Sequence, residues 1–251
     1  MKNIILEIIG RILHYISYRK ENKGPVENAL VLMSGPSNEL DDFSDKLYSV
    51  SIASNLTSPE GFKNKVKSKI YYHCFSDPSI LTDQNKFKIF GDIIKYAKEN
   101  DDYKILLPIQ YLKNIKIYKI IFNRNVIFYN QNMSYQKKQG IRFDKYTYPN
   151  MNTILLDCAL PWVSFLGAKN IFVSGFDANY GNDNSKKYSN INLTHIEENT
   201  NRSLWSDEVK FNAQVMTKLI EKTNGCKVNF SINSGFWKYM NENTNCYWKS
   251  L

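Results

Sequence analysis

The sequence predicts an α/β protein built on a mainly parallel sheet with helices on both faces, and three observations carry that expectation. Apolar runs of strand length alternate with longer helical patterns from residue 28 onward, the signature of βαβ units. The first three runs end in small or polar residues: Ser34-Gly35-Pro36-Ser37, then Ser54-Asn55, then Ser76-Asp77-Pro78-Ser79. In a parallel sheet such loops gather at the carboxyl edge, where ligands of these folds bind. Length completes the case, because 251 residues with 43% apolar content can bury a sizeable core. The expected arrangement is a single Rossmann-like domain over residues 28–251, preceded by an amphipathic helix within residues 1–23.

Ile4 to Tyr18 carries Ile5, Leu6, Ile8, Ile9, Ile12, Leu13 and Ile16 on one arc and Glu7, Arg11, His14 and Tyr18 opposite. Charges interrupt the run well before the ~20 apolar residues that a bilayer crossing needs, and no small-residue cleavage site follows. Two uses stay open. With Arg19, Lys20 and Lys23 behind it the helix suits an anionic membrane surface, and it equally suits packing on its own domain or on a second copy in a homo-oligomer. Gly24 and Pro25 then mark a linker.

Ala29–Met33 reads as the first strand. Gly35 lets backbone approach closely, Pro36 removes a donor, and Ser37 suits a helix cap whose free N–H groups favour an anion. Asn38–Lys46 reads as a short acidic helix, Tyr48–Ala53 as a second strand and Lys69–Phe75 as a third, rich in β-formers. Asp83–Asn100 places Phe87, Phe90, Ile93, Ile94 and Ala97 on one helical face, and Tyr103–Leu107 is a strand ended by Pro108. Met151–Leu166 reads as a helix that Pro161 must kink or restart. Asn170–Val173 is a strand leading into Ser174-Gly175-Phe176-Asp177 and a polar loop of about thirty residues, a length that marks function or disorder. Asp207–Thr223, Lys227–Phe230 and Ser234–Met240 close the pattern as helix, strand and helical turn.

Thirty-three basic against 24 acidic residues leave a net charge of +9, which suits an anionic partner such as a nucleotide, nucleic acid or acidic lipid surface. Cys74, Cys158, Cys226 and Cys246 are far apart and lack C-x-x-C spacing, so a reducing compartment is expected and zinc is not. Between Tyr111 and Tyr146, Lys113, Lys116, Lys119, Arg124, Lys137, Lys138, Arg142 and Lys145 face a single acid, Asp144. Interleaved with aromatics, this stretch resembles what single-strand binders use, although a solvated face of a Lys-rich protein has the same composition. No recognised nucleic-acid module is present, and no nucleic-acid partner is expected.

The chain has no Walker loop, G-x-G-x-x-G, H-E-x-x-H or G-x-S-x-G, and no Asp-x-Asp to hold a divalent metal on a nucleotide diphosphate. No metal and no cofactor are therefore expected. Of the three histidines, His14 sits in the N-terminal helix and His73 in a strand, which leaves His195 on a loop as the candidate base near neutral pH. Tyr180 and Tyr188 share that loop.

Taken together, Leu30-Val31-Leu32-Met33-Ser34-Gly35-Pro36-Ser37, the block Phe165-Leu166-Gly167-Ala168-Lys169-Asn170-Ile171-Phe172-Val173-Ser174-Gly175-Phe176-Asp177 and the later His195 loop resemble the bacterial lipooligosaccharide sialyltransferases. Those enzymes carry a G-N-G-P-S-L turn after the first strand, an Asn after the second and N-P-S after the third. A T-S-G helix start then leads into L-G-x-x-x-I-x-x-S-G-x-D. The same turn occurs, more remotely, in pterin-pyrophosphokinase-like proteins.

The resemblance implies a metal-independent, inverting glycosyltransferase on a GT-A-like variant of the Rossmann sheet. Its donor would be CMP-sialic acid and its acceptor a surface glycan such as lipooligosaccharide or O-antigen. It implies that Ser34, Gly35, Pro36 and Ser37 wrap the CMP phosphate and ribose, that Asn55 binds the nucleotide, and that Asp77, Ser79, Thr153, Gly175 and Asp177 complete that site. Tyr180 and Tyr188 would hydrogen-bond the departing phosphate, and His195 would take the acceptor's proton. Ser34 and Asp77 stand where the family has Asn, and Thr153 lacks the following Ser-Gly, which extends the donor range to legionaminate, pseudaminate or Kdo. A cytoplasmic protein, peripheral at the inner face of the bacterial inner membrane, is the matching location. Two other classes remain as alternatives: a pterin pyrophosphokinase-like phosphotransferase, and a nucleic-acid-binding protein acting through residues 113–145.

Overall fold

Seven parallel strands form the central sheet. The computed structural model describes residues 25–113, 123–129, 131–132, 148–149, 153–178 and 203–242, with Ile8, Ile12, Tyr15 and Ile16 as isolated positions. The helix expected over Ile4 to Tyr18 otherwise lies outside the described residues, as do Tyr180, Tyr188 and His195.

The strands are β1 (Asn28–Leu32), β2 (Leu47–Ser54), β3 (Lys67–Cys74), β4 (Tyr103–Pro108), β5 (Val126–Tyr129), β8 (Asn170–Ser174) and β9 (Lys227–Phe230), hydrogen-bonded in the order β5-β4-β3-β2-β1-β8-β9. A two-residue pair, β6 (Gln131–Asn132) and β7 (Tyr148–Pro149), stands apart. β1 is central and feeds two cores, as expected of a strand covered on both faces. Ala29 and Val31 face a layer made by residues 154–168, α4 (Ser203–Asn224) and α5 (Gly235–Glu242). Leu30 and Leu32 face the other layer, where Phe62 of α1 (Pro59–Lys65) and Phe90, Ile93 and Ala97 of α2 (Gln84–Glu99) are buried.

Local chemistry sets the helix ends. Ser58 caps α1 by accepting from the Gly61 N–H, and Asp83 caps α2 by accepting from the Asn85 and Lys86 N–H groups. Between them, the helix expected over Asn38–Lys46 is instead a short 3-10 turn, Pro36–Leu40. Asp42 accepts from the Ser44 N–H, and this Asx turn draws the backbone away from helix. Thr153 opens the helix expected over Met151–Leu166, accepting from Leu156 and Asp157 N–H groups. That segment is a π-helical turn, Leu155–Ala159, followed by α3 (Leu160–Phe165). Pro161 lacks the N–H that would close an α-turn on Asp157, so the widened turn precedes it.

One expectation changes in kind. Val126–Tyr129 lies inside the basic stretch of residues 113–145, yet all four residues are buried and pair in parallel with β4. Arg124 beside it is exposed and ion-paired with Asp101. Lys116, Lys119, Lys137, Lys138, Arg142, Asp144 and Lys145 lie outside the described residues. Cys74, Cys158 and Cys226 are free, buried thiols. Among the described residues no helix is long and apolar enough to cross a membrane.

Candidate functional site

The chain leaves β1 toward β2 and, after β5, returns to place β8 on the other side of β1. The strand order therefore reverses between β1 and β8, and the carboxyl edge beside that point is where an open parallel sheet binds its ligands.

At the reversal itself the two loops are fastened together. The Met33 N–H donates to Ser174 O at 2.8 Å and the Gly35 N–H to Gly175 O at 3.0 Å, extending the strand pairing past both strand ends. A Cβ on Gly35 would stand 2.3 Å from Gly175 O and 2.4 Å from Asp177 Oδ2, and one on Gly175, at φ +72°, would stand 2.3 Å from Met33 O. Only glycine allows that approach. Asp177 spans the junction: Oδ2 accepts from the Ser37 N–H and Oδ1 from the Gly235 N–H, each at 3.1 Å. The carboxylate thus caps the 3-10 turn after β1 and the first turn of α5 together.

Asn38 is fully buried in the same turn, its Nδ2 donating to Met33 O at 2.8 Å and its Oδ1 accepting from Lys65 Nζ at 3.1 Å. Burial pulls the Lys65 ammonium down from its ordinary pKa, against the pull of Glu39 and Asp41. Asp41 binds the end of β8 and the loop after β9, accepting from Ser174 Oγ and, at 2.7 Å each, from Ser231 Oγ and Asn233 Nδ2.

The loops after β2 and β3 are built differently. Asn55 has φ +48°, a conformation rare for any residue but glycine. Its N–H donates to Cys74 O at 2.9 Å and its carbonyl faces His73 Nε2. Among the described residues, Asn55 Oδ1, Ser54 Oγ and Ser37 Oγ are buried without a hydrogen-bond partner. Ser51 Oγ within β2 and Thr217 Oγ1 on α4 are likewise buried without a partner, so such atoms are not confined to this edge.

After β3, Asp77 accepts from Ser79 through both its N–H and its hydroxyl, at 2.9 and 2.7 Å. Lys86, with a buried side chain, donates to Ser79 Oγ at 2.9 Å and lies 3.9 Å from Asp77 Oδ2. The charge of Asp77 is thereby balanced within the loop. Tyr111 and Tyr129 hydroxyls hold this loop from beneath, donating to Asp77 O at 2.6 Å and Phe75 O at 2.7 Å, and burial raises both phenols well above their ordinary pKa.

No protein-family model matches the chain, and no curated protein matches it. The site must be read from its own geometry. Ser34, Gly35, Pro36, Ser37, Gly175 and Asp177 come together at the strand-order reversal, and Asn55, Asp77 and Ser79 stand on the neighbouring loops of the same edge. Thr153 also belongs to that edge, because the helical segment it opens runs back to the start of β8. Sequence reasoning missed Lys86, Asn38 and Asp41. A buried Lys on the apolar face of α2 was the one local signal for Lys86; the others depend on contacts between distant segments. Among the described residues, no group of three or more His, Cys, Asp or Glu could hold a metal ion.

Proposed function

We propose that the protein is a metal-independent, inverting glycosyltransferase that moves sialic acid or a related nonulosonic acid from a CMP donor to a surface-glycan acceptor. The observation that carries the reading is the junction of the Gly-Pro turn with the Ser174-Gly175-Phe176-Asp177 loop at the strand-order reversal. The two sequence blocks that resemble sialyltransferases, around Gly35 and Gly175, touch through the 3.0 Å hydrogen bond between them. The donor nucleotide would lie over the ends of β1, β2 and β3. There Ser34 and Pro36 line the turn, and the partly exposed Asn55 stands on the next loop of the edge. The +9 charge favours such an anionic donor.

In the reaction the acceptor hydroxyl oxygen bonds to the anomeric carbon while the bond from that carbon to the phosphate oxygen breaks, and its electron pair leaves with CMP. His195 takes the hydroxyl proton, and Tyr180 and Tyr188 donate hydrogen bonds to the departing phosphate. Asp77, neutralised by Lys86, meets a hydroxyl rather than a phosphate. The sheet would serve as a GT-A-like variant. In cells the enzyme would act in lipopolysaccharide or O-antigen assembly at the inner face of the membrane, with residues 1–20 as the peripheral contact.

Incubation with CMP-sialic acid and a galactose-terminated acceptor in the presence of EDTA tests this. Sialylated product and free CMP are expected, with His195→Ala slower by on the order of 10²–10⁴-fold. A strict magnesium requirement with ATP turnover would move the protein to the phosphotransferase class.

A further inference from the structure

We propose that His73 is a positioning residue for the nucleotide contact, holding the Asn55 backbone from inside the core so that the Asn55 amide faces a ligand over the carboxyl edge. The inference rests on the donor-site reading above. It goes beyond that reading by assigning a role to a residue that touches neither donor nor acceptor.

His73 is fully buried on β3, two strands from the reversal. Nε2 faces the Asn55 carbonyl, which can only accept, so Nε2 carries the proton. Nδ1 is then bare and accepts from the Tyr103 hydroxyl at 2.8 Å. Phe75 stacks on the imidazole with ring centroids 4.8 Å apart, and Tyr103 closes the other side. Burial lowers the His73 pKa to about 4, so near neutrality the ring is uncharged and both nitrogens keep these roles.

A buried imidazole is a costly filler where Phe or Leu would pack, unless both nitrogens are used. Here both are used, and the second bond ends on the backbone of a non-glycine residue at φ +48°. Asn tolerates that conformation best among residues with a side chain, and the neighbouring structure must still hold it there. The Asn55 N–H to Cys74 O bond and the His73 bond fix the residue from both sides. Asn55 itself is partly exposed, at the carboxyl end of β2. A rigid support beneath a partly exposed polar residue at the carboxyl edge is how a site is preorganised for a ligand.

The test is calorimetric titration of CMP into the full chain for wild type, Asn55→Ala, His73→Phe, His73→Gln and the double variant Asn55→Ala/His73→Phe. Asn55→Ala and His73→Phe should each weaken CMP about tenfold, the value of one hydrogen bond, and the double variant no further. His73→Gln, whose amide can reach the Asn55 carbonyl as Nε2 does, should stay within about threefold of wild type. If His73→Phe folds poorly, His73→Asn replaces it, because the shorter amide cannot reach that carbonyl.

Wild-type affinity in the loss variant, or additive losses in the double variant, would overturn the inference. If wild type itself does not bind CMP, the donor reading falls and takes the ligand half of the inference with it. The three-bond HN–Hα coupling of Asn55 then decides the remaining half. A changed coupling in the loss variant supports His73 as the backbone support, and an unchanged one overturns it.

Discussion

The β1–β8 loops and the β2–β3 loops lie on the same edge of the same sheet, and they are held in different ways. At β1–β8 the backbone pairing continues past the strands, and Asp177 spends both oxygens on N–H groups from two different elements. At β2–β3 the backbone is held instead by side chains from the core beneath, His73, Tyr111 and Tyr129. The first region fastens two loops to each other, and the second fastens each loop to the core beneath it. A motif that looks like a ligand loop in sequence can therefore serve chiefly to hold the floor on which its neighbour works.

The difference can be broken from its stiff side first. Gly175→Ala places a Cβ 2.3 Å from Met33 O at a left-handed φ, and should cost about 3–5 kcal/mol or prevent folding, as read by urea denaturation.

Acid should act next, through the β2–β3 support. His73 has its pKa lowered in the folded protein to about 4, against 6.5 when free, so the unfolded chain binds its proton first as pH falls. The stabilisation is complete above pH 6.5 and is lost progressively toward pH 4, with a full loss on the order of 3 kcal/mol. Urea midpoints from pH 7.5 to 4.5 should fall less steeply in His73→Gln than in wild type.

Asp177→Ala removes the cap from two N-termini and should lower stability by about 2–3 kcal/mol, measured the same way. The smallest change should be Asn55→Gly. It relieves the left-handed backbone and should leave stability within about 1 kcal/mol of wild type, while CMP affinity falls. Equal stability losses at Asp177 and Asn55, with no separate binding effect, would erase the distinction between the two regions.

Most strands were legible because runs such as Ala29-Leu30-Val31-Leu32 are buried on both faces and carry no competing pattern. β9 falls on the residues expected, Lys227–Phe230, and β8 extends one residue beyond. β5 was hidden because four residues, Val126-Ile127-Phe128-Tyr129, sit among lysines whose charge dominates any wider window. α1 was hidden by its length, seven residues after Pro59, too few for a periodic signal.

At the site, the turns could be read because Gly-Pro and Asp-Pro-Ser are local chemistry. The partners could not. Asp177 meets Ser37 across 140 positions and His73 meets Asn55 across 18, and no spacing rule within one element connects either pair.

Hydrogen exchange of the full chain with and without CMP tests the central claim most directly. The account predicts slower exchange on adding CMP at amides of residues 54–57 and 75–82, with the Ser37 and Gly235 amides already slow in both states. No response to CMP anywhere, or a response confined to residues 227–242, would contradict it.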